Sequence, residues 1–183
     1  MSRFIAFEPG LCGGCGACVV ACMDQNDIDC AAGQPPFRRV YQLEEPGLPL
    51  LYRSVACRHC EDSPCMAGCP TGAIYRDGET DRVLVERSLC IGCHSCAMNC
   101  PFGVPRFDSE GLMSKCGGCS QRLKAGLEPA CVRVCPQNAK EVRDDTHLVK
   151  EYIRQGEKVI MAMAPSYSAA FRVTSLTPVA EAV

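Results

Sequence analysis

The chain contains no tryptophan, and aromatic residues make up only 6% of its 183 positions. A conventional core filled by large rings is therefore excluded, and something else must occupy the interior. Histidine occurs three times, and no Ser-His-Asp, Cys-His or paired-carboxylate arrangement is recognisable, so the chain is not expected to be an enzyme in its own right. Long apolar runs are missing too: Val159 to Pro165 is about a third of the roughly 20 residues that a membrane-spanning helix needs. Met1-Ser2-Arg3-Phe4-Ile5 carries neither a charged segment leading into an apolar one nor a twin-arginine signal. A cytoplasmic location is expected, periplasmic only if a signal-bearing partner carries the chain across. The formal net charge is −2, with no basic patch that would suit nucleic acid.

Cysteine is what the chain has in abundance. Sixteen of its seventeen cysteines fall into four groups of four. Group I is Cys12-x2-Cys15-x2-Cys18-x3-Cys22, and group II is Cys57-x2-Cys60-x4-Cys65-x3-Cys69-Pro70. Group III is Cys90-x2-Cys93-x2-Cys96-x3-Cys100-Pro101, and group IV is Cys116-x2-Cys119-x11-Cys131-x3-Cys135-Pro136. Group III matches the bacterial ferredoxin run for [4Fe–4S] ligation, and the others are that run with insertions or without the proline. Cys30 is left over in a polar loop and reads as an incidental thiol.

The spacing has a physical reason. Two residues between cysteines let one loop reach adjacent irons of a cubane while turning its backbone N–H groups toward an anionic cluster. Glycine makes that turn at little steric cost, and Gly13, Gly14, Gly16, Gly92, Gly117 and Gly118 sit in these loops. The fourth cysteine follows the third by one helical turn and so points to a different cluster, and a following proline then ends the helix. A disulfide framework has no need of this pattern, and zinc ribbons use paired knuckles, not four-cysteine runs. Four [4Fe–4S] clusters are expected, serving as one-electron carriers. Each oxidised cubane has a +2 core on four thiolates, so the holo-chain would carry roughly −10. Arg53, Arg58, Lys115 and Arg133, beside or between cysteines, are candidates to offset that charge.

Short elements are predicted around the loops: strands at Ser2–Glu8, Arg38–Leu43, Tyr52–Ala56 and Arg82–Glu86, and a helix from Cys18 to Asp24. Thr146–Gln155 reads as helical and Glu157–Ala164 as extended. The fold class is α+β, as two pseudo-symmetric bacterial-ferredoxin-like modules. Groups II and III lie close in sequence and form one module, residues 57–107; groups I and IV are left to pair across it, residues 1–56 plus 108–145. Residues 146–183 are a tail suited to docking a partner. Exchange of the fourth cysteine within the II–III pair gives Cys57, Cys60, Cys65 and Cys100 for one cluster, and Cys90, Cys93, Cys96 and Cys69 for another. His59 and His94 sit inside loops that already hold all their cysteines, so donation to sulfur or a surface position is expected of them.

The flanks extend the pattern. Cys57-Arg58-His59-Cys60-Glu61-Asp62-Ser63-Pro64-Cys65, Asn99-Cys100-Pro101-Phe102-Gly103-Val104-Pro105, Lys115-Cys116-Gly117-Gly118-Cys119 and Pro129-Ala130-Cys131-Val132-Arg133-Val134-Cys135-Pro136 are similar to the iron–sulfur subunit of the dimethyl sulfoxide reductase family. Ala21-Cys22-Met23-Asp24-Gln25-Asn26-Asp27 is similar to the close of that family's first group, which also lacks the proline. The resemblance spans about residues 2–143. Together with the elimination above, it supports the I–IV exchange: Cys12, Cys15 and Cys18 with Cys135, and Cys116, Cys119 and Cys131 with Cys22. It implies a relay subunit between a molybdenum- or tungsten-pterin catalytic subunit and a second redox protein or membrane anchor, with no membrane insertion of its own. Service to a hydrogenase or a tungsten aldehyde oxidoreductase is the alternative partnership. A structural adaptor role is compatible with relay, while a free-standing polyferredoxin or a redox sensor fits less well.

Overall fold

The computed structural model describes residues 4–143 and 146–156. They form short strands and short helices, an α+β fold. The chain divides into two units, Met1–Asp144 and Asp145–Val183. The described part of the second is helix α6 (Thr146–Arg154); the extended segment expected at Glu157–Ala164 lies outside the described residues.

The first unit repeats one motif four times: a strand, a cysteine loop, a short helix and a second strand. β1 (Phe4–Phe7), β3 (Leu51–Val55), β5 (Val83–Val85) and β7 (Met113–Ser114) precede the four loops. β2 (Arg39–Leu43), β4 (Ile74–Arg76), β6 (Arg106–Phe107) and β8 (Lys140–Arg143) follow the four groups. Pairing is antiparallel throughout and always joins the strand after one group to the strand before the next: β2 with β3, β4 with β5, β6 with β7. β8 pairs with β1, Phe4 opposite Arg143 and Phe7 opposite Lys140, so the ribbons close a circuit I–II–III–IV–I. The expected strands and the first helix are present. β4, β6, β7 and β8 were not expected, because two to four residues are too few to show an alternating pattern.

The helices respond to proline as the sequence implies. α2 (Pro64–Ala67), α3 (Ser95–Asn99) and α5 (Ala130–Arg133) stop before the Cys-Pro of their groups. A residue preceding proline is pushed out of the helical region, so no helix continues through the fourth cysteine: the caps are Gly68, Cys100 and Val134. Group I has no proline, and α1 (Ala17–Gln25) runs past Cys22. Asn26 closes it, its Nδ2 donating to the Cys22 carbonyl at 2.7 Å. α1 packs against α5 and α2 against α3, so helices of groups I and IV meet, as do those of II and III. Within the long insertion of group IV lies α4 (Ser120–Lys124).

The interior is small and rich in sulfur. One cluster of buried residues is Ile74, Val83, Cys96 and Met113, flanked by Cys65, Cys69 and Cys90. The other is Cys18, Cys131 and Val132, packed by Ile5, Val19, Val40 and Val142. Cysteines thus stand where larger side chains would fill an ordinary core.

Candidate metal-cluster sites

Each of the four loops contains one residue in the left-handed region directly before its second cysteine: Gly14, His59, Gly92 and Gly118. In two of the loops the turn brings the N–H of that residue onto the first sulfur, His59 N–H to Cys57 Sγ at 3.4 Å and Gly118 N–H to Cys116 Sγ at 3.3 Å. Such donors suit a thiolate, whose charge they disperse. Gly13 and Gly117 keep ordinary φ, contrary to expectation; the turn needs only the second residue of each pair. At three loops glycine meets the need, but His59 holds φ +49 against its own side chain. What the side chain gains is contact: its Nδ1 accepts the Val83 N–H at 3.1 Å. His94, also left-handed, stacks on Phe107 with centroids 3.8 Å apart.

The fold brings together cysteines that are distant in sequence. Cys22 lines one cavity with Cys116, Cys119 and Cys131, walled also by Ile5, Asn26 and Pro129. Cys69 lines another with Cys90, Cys93 and Cys96, walled by Ile74, Val85 and Met113. In both, the fourth cysteine of one group stands among the first three of another. Cys65 lies in electrostatic range of Cys100, Cys60 and Cys57. The loop of Cys12, Cys15 and Cys18 meets the group IV end through Gln137, two residues beyond Cys135, whose Oε1 is 3.9 Å from Cys15 Sγ. All seventeen cysteines are unpaired thiols. Among the described residues no three of His, Cys, Asp or Glu converge as on a single ion; two of the quartets instead line cavities, an arrangement that suits a cubane with one thiolate per iron. Cys30 is exposed.

Most of the buried thiols resist ionisation. Burial first, then neighbouring Cys116, pushes the Cys22 thiol up to about 12. Burial pushes Cys96 up to about 11 and raises Cys57, Cys65, Cys119 and Cys131 as well. Hydrogen bonding with Ser95 lowers Cys93; at Cys69 burial is outweighed by hydrogen bonding with Thr71 and with backbone N–H groups. Thiolates packed so closely do not ionise together beside water alone, whereas a metal core compensates their charge directly. The residues fit four-thiolate clusters.

Three buried cations stand among the sulfurs: Arg38, Arg82 and Lys115. Burial opposes the charge on Arg38, but Cys131, Cys116, Cys18 and Cys22 raise its pKa overall. Arg38 Nη1 donates to Ser54 Oγ at 3.0 Å, and that hydroxyl lies 3.7 Å from Cys18 Sγ. Lys115 Nζ donates to the Val83 and Cys116 carbonyls. Of the four basic residues singled out from the sequence, only Lys115 is buried; Arg53, Arg58 and Arg133 are exposed, and Arg58 lies over the Phe102 ring. Arg38 and Arg82 were missed because neither is adjacent to a cysteine. The available signal was weaker: each is a charged residue at the very start of a predicted strand, where it is carried inward. Burial first, then Lys115 and Arg82, lowers His59 to about 3, so a neutral donor is seated there.

Ferredoxin-type loops, helical turns and sulfur-lined cavities define an iron–sulfur protein. Comparison with known proteins is then specific. A 4Fe-4S dicluster domain matches residues 48–145. The protein is 34% identical over 159 residues to one of the chains of the anaerobic dimethyl sulfoxide reductase of Haemophilus influenzae, the match covering 80% of this sequence and 76% of that one. It is 41% identical over 151 residues to the thiosulfate reductase electron transfer subunit of Salmonella typhi, covering 80% and 78%. One of the subunits of the sulfite dehydrogenase of Allochromatium vinosum is 32% identical over 176 residues, covering 82% and 73%. The chain belongs to this family of 4Fe-4S dicluster iron–sulfur subunits. Among the described residues no helix is long and apolar enough to cross a membrane.

Proposed function

We propose that this chain is the electron-relay subunit of an oxidoreductase complex and that it holds four [4Fe–4S] clusters. The observation that carries the reading is the gathering of Cys22 with Cys116, Cys119 and Cys131, and of Cys69 with Cys90, Cys93 and Cys96, into separate cavities. The ligand sets are then Cys12, Cys15, Cys18 and Cys135; Cys116, Cys119, Cys131 and Cys22; Cys57, Cys60, Cys65 and Cys100; and Cys90, Cys93, Cys96 and Cys69. The helix contacts of α1 with α5 and α2 with α3 support two modules, one of groups I and IV (1–56 plus 108–145) and one of groups II and III (57–107).

Bound clusters supply reversible one-electron storage. The chain's own residues do the rest. Its loops present N–H donors to sulfur, its apolar walls limit water, and Arg38, Arg82 and Lys115 compensate negative charge in the interior. Substrate chemistry belongs to a partner. Relatives named as components of dimethyl sulfoxide, thiosulfate and sulfite oxidoreductases favour a catalytic subunit with molybdenum or tungsten pterin, and a second redox protein or membrane anchor completes the circuit.

The test is anaerobic isolation of the complex through a tag on this chain, followed by metal analysis. About sixteen irons per chain, with molybdenum or tungsten in a stoichiometric partner, is the expected result. About eight irons would reduce the reading to two clusters, and zinc in place of iron would overturn it.

A further inference from the structure

Three buried side-chain polar atoms among the described residues lack a hydrogen-bond partner: Arg38 Nε, His59 Nε2 and Arg82 Nε. All three residues line the same small cavity, of about 70 Å³, together with Ser54, Cys57, Cys116 and Gly118. None of its lining residues is an aspartate or glutamate. Arg38 and Arg82 are 5% and 6% exposed, so bulk water screens neither guanidinium effectively. Buried donors are ordinarily satisfied, and three orphans facing one chamber mark it as built for an electron-rich neighbour.

The chamber lies between two sulfur sets. Cys57 opens group II and Cys116 opens group IV. Arg82 lines the chamber with both sulfurs, and the charges acting on it, after burial, are Cys116, Asp81, Cys57 and Cys119. The loop geometry keeps the approach open. A Cβ on Gly118 would stand 2.8 Å from Arg82 Cδ and 3.0 Å from His59 Nε2, so only glycine lets both side chains lie over the Cys116–Cys119 turn. His59 holds its uncommon backbone conformation, and its Nδ1 accepts from Val83 N–H. That bond fixes the tautomer and leaves the hydrogen on Nε2, facing the chamber.

We propose that Arg82, with Arg38 and His59, forms a cationic crossing between the sets Cys57/Cys60/Cys65/Cys100 and Cys116/Cys119/Cys131/Cys22. These positioning residues raise the reduction potentials of the two clusters they separate and make the gap the place where an electron passes between modules. The inference rests on the four-cluster reading above. Each one-electron reduction adds one negative charge to a centre that is already anionic. A fixed cation and N–H donors at the cluster edge favour the reduced form over the oxidised one. Two anionic centres facing each other without them would repel the electron in transit.

The experiment is an anaerobic redox titration of the full chain, followed by electron paramagnetic resonance, in wild type, Arg82→Gln and Arg82→Lys. Iron content and the wild-type cluster signals are measured first; if these are absent, the four-cluster reading fails, independently of the crossing. With clusters present, Arg82→Gln is expected to move two of the signals to more negative potential. At a fixed potential the oxidised-to-reduced ratio of the nearer cluster should rise about tenfold, equivalent to about 59 mV for a one-electron couple. The remaining signals should stay in place. Arg82→Lys keeps the charge and should titrate close to wild type. His59→Leu, which removes a neutral donor, should give a smaller shift in the same direction. Unchanged potentials in Arg82→Gln, or an equal shift of all four clusters, would overturn the proposal. Should Arg82→Gln lose iron, His59→Leu decides: a negative shift confined to the same two signals supports the crossing, and unchanged potentials refute it.

Discussion

Replacement of Gly14 by alanine separates two demands that the cluster loops place on their glycines. Gly14 sits at φ +68, and a Cβ there would lie within 2.6 Å of three ring atoms of Tyr52. Gly16, in the same loop, sits at φ +74, but a Cβ there would meet nothing within 4 Å. Both substitutions incur the left-handed penalty of about 1–2 kcal/mol. Only Gly14→Ala must also displace the Tyr52 ring on β3, an overpacking cost of about 1–3 kcal/mol. Gly14→Ala should therefore destabilise by about 2–5 kcal/mol in all, and Gly16→Ala by about 1–2. At roughly 2–4 °C per kcal/mol for a chain of this size, the two variants should be separable by thermal bleaching of the thiolate-to-iron absorbance, scanned anaerobically at one rate. Tyr52→Ala supplies the decisive control. In that background Gly14→Ala should cost no more than Gly16→Ala, giving a coupling of about 1–3 kcal/mol. If Gly14→Ala bleaches no earlier than Gly16→Ala, or if Tyr52→Ala leaves the gap intact, the loop packing described above is wrong.

Other outcomes follow from the same structure. Cys96→Ser should disturb one cluster, lowering iron by about four per chain or converting a signal, while groups I and IV stay assembled; loss of all four clusters would refute the two-module arrangement. Anaerobic removal of iron by chelation should abolish cooperative unfolding and expose the chain to protease, because sulfur-lined cavities replace much of the core; protection retained at the holo level would show that the polypeptide packs without metal. Met113→Ala, at a side chain 1% exposed beside Cys90 and Cys96, should destabilise by about 2–5 kcal/mol, whereas Met98→Ala, at 86% exposure, should change bleaching little.

The loops were legible because their chemistry is local. Spacing, glycine and proline act within a few residues, so α2, α3 and α5 end before their Cys-Pro, while α1, without that proline, continues to Gln25. The ribbons were only half legible. β1, β2, β3 and β5 carry recognisable β-forming residues, but β6 and β7 are two residues each and exist through their partner strands. Long-range placement was the least visible. Lys115 announced itself by standing beside Cys116, while Arg38 and Arg82 reach sulfur only after β2 and β5 are paired and turned inward. His59 looked like any loop histidine; its left-handed backbone and its bond to Val83 are tertiary facts.

The pairing of β1 with β8 has a consequence for biosynthesis. A polypeptide emerging from the ribosome presents Cys12 to Cys22 first, yet Phe4–Phe7 finds its strand partner only when Lys140–Arg143 has been made. Under the proposed ligand sets, groups II and III are complete once Cys100 has emerged, whereas the earliest cysteines must wait for Cys131 and Cys135. The order of cluster insertion would then run from the middle of the chain outward. The N-terminal thiols would be the last to be capped and the longest exposed to oxidation.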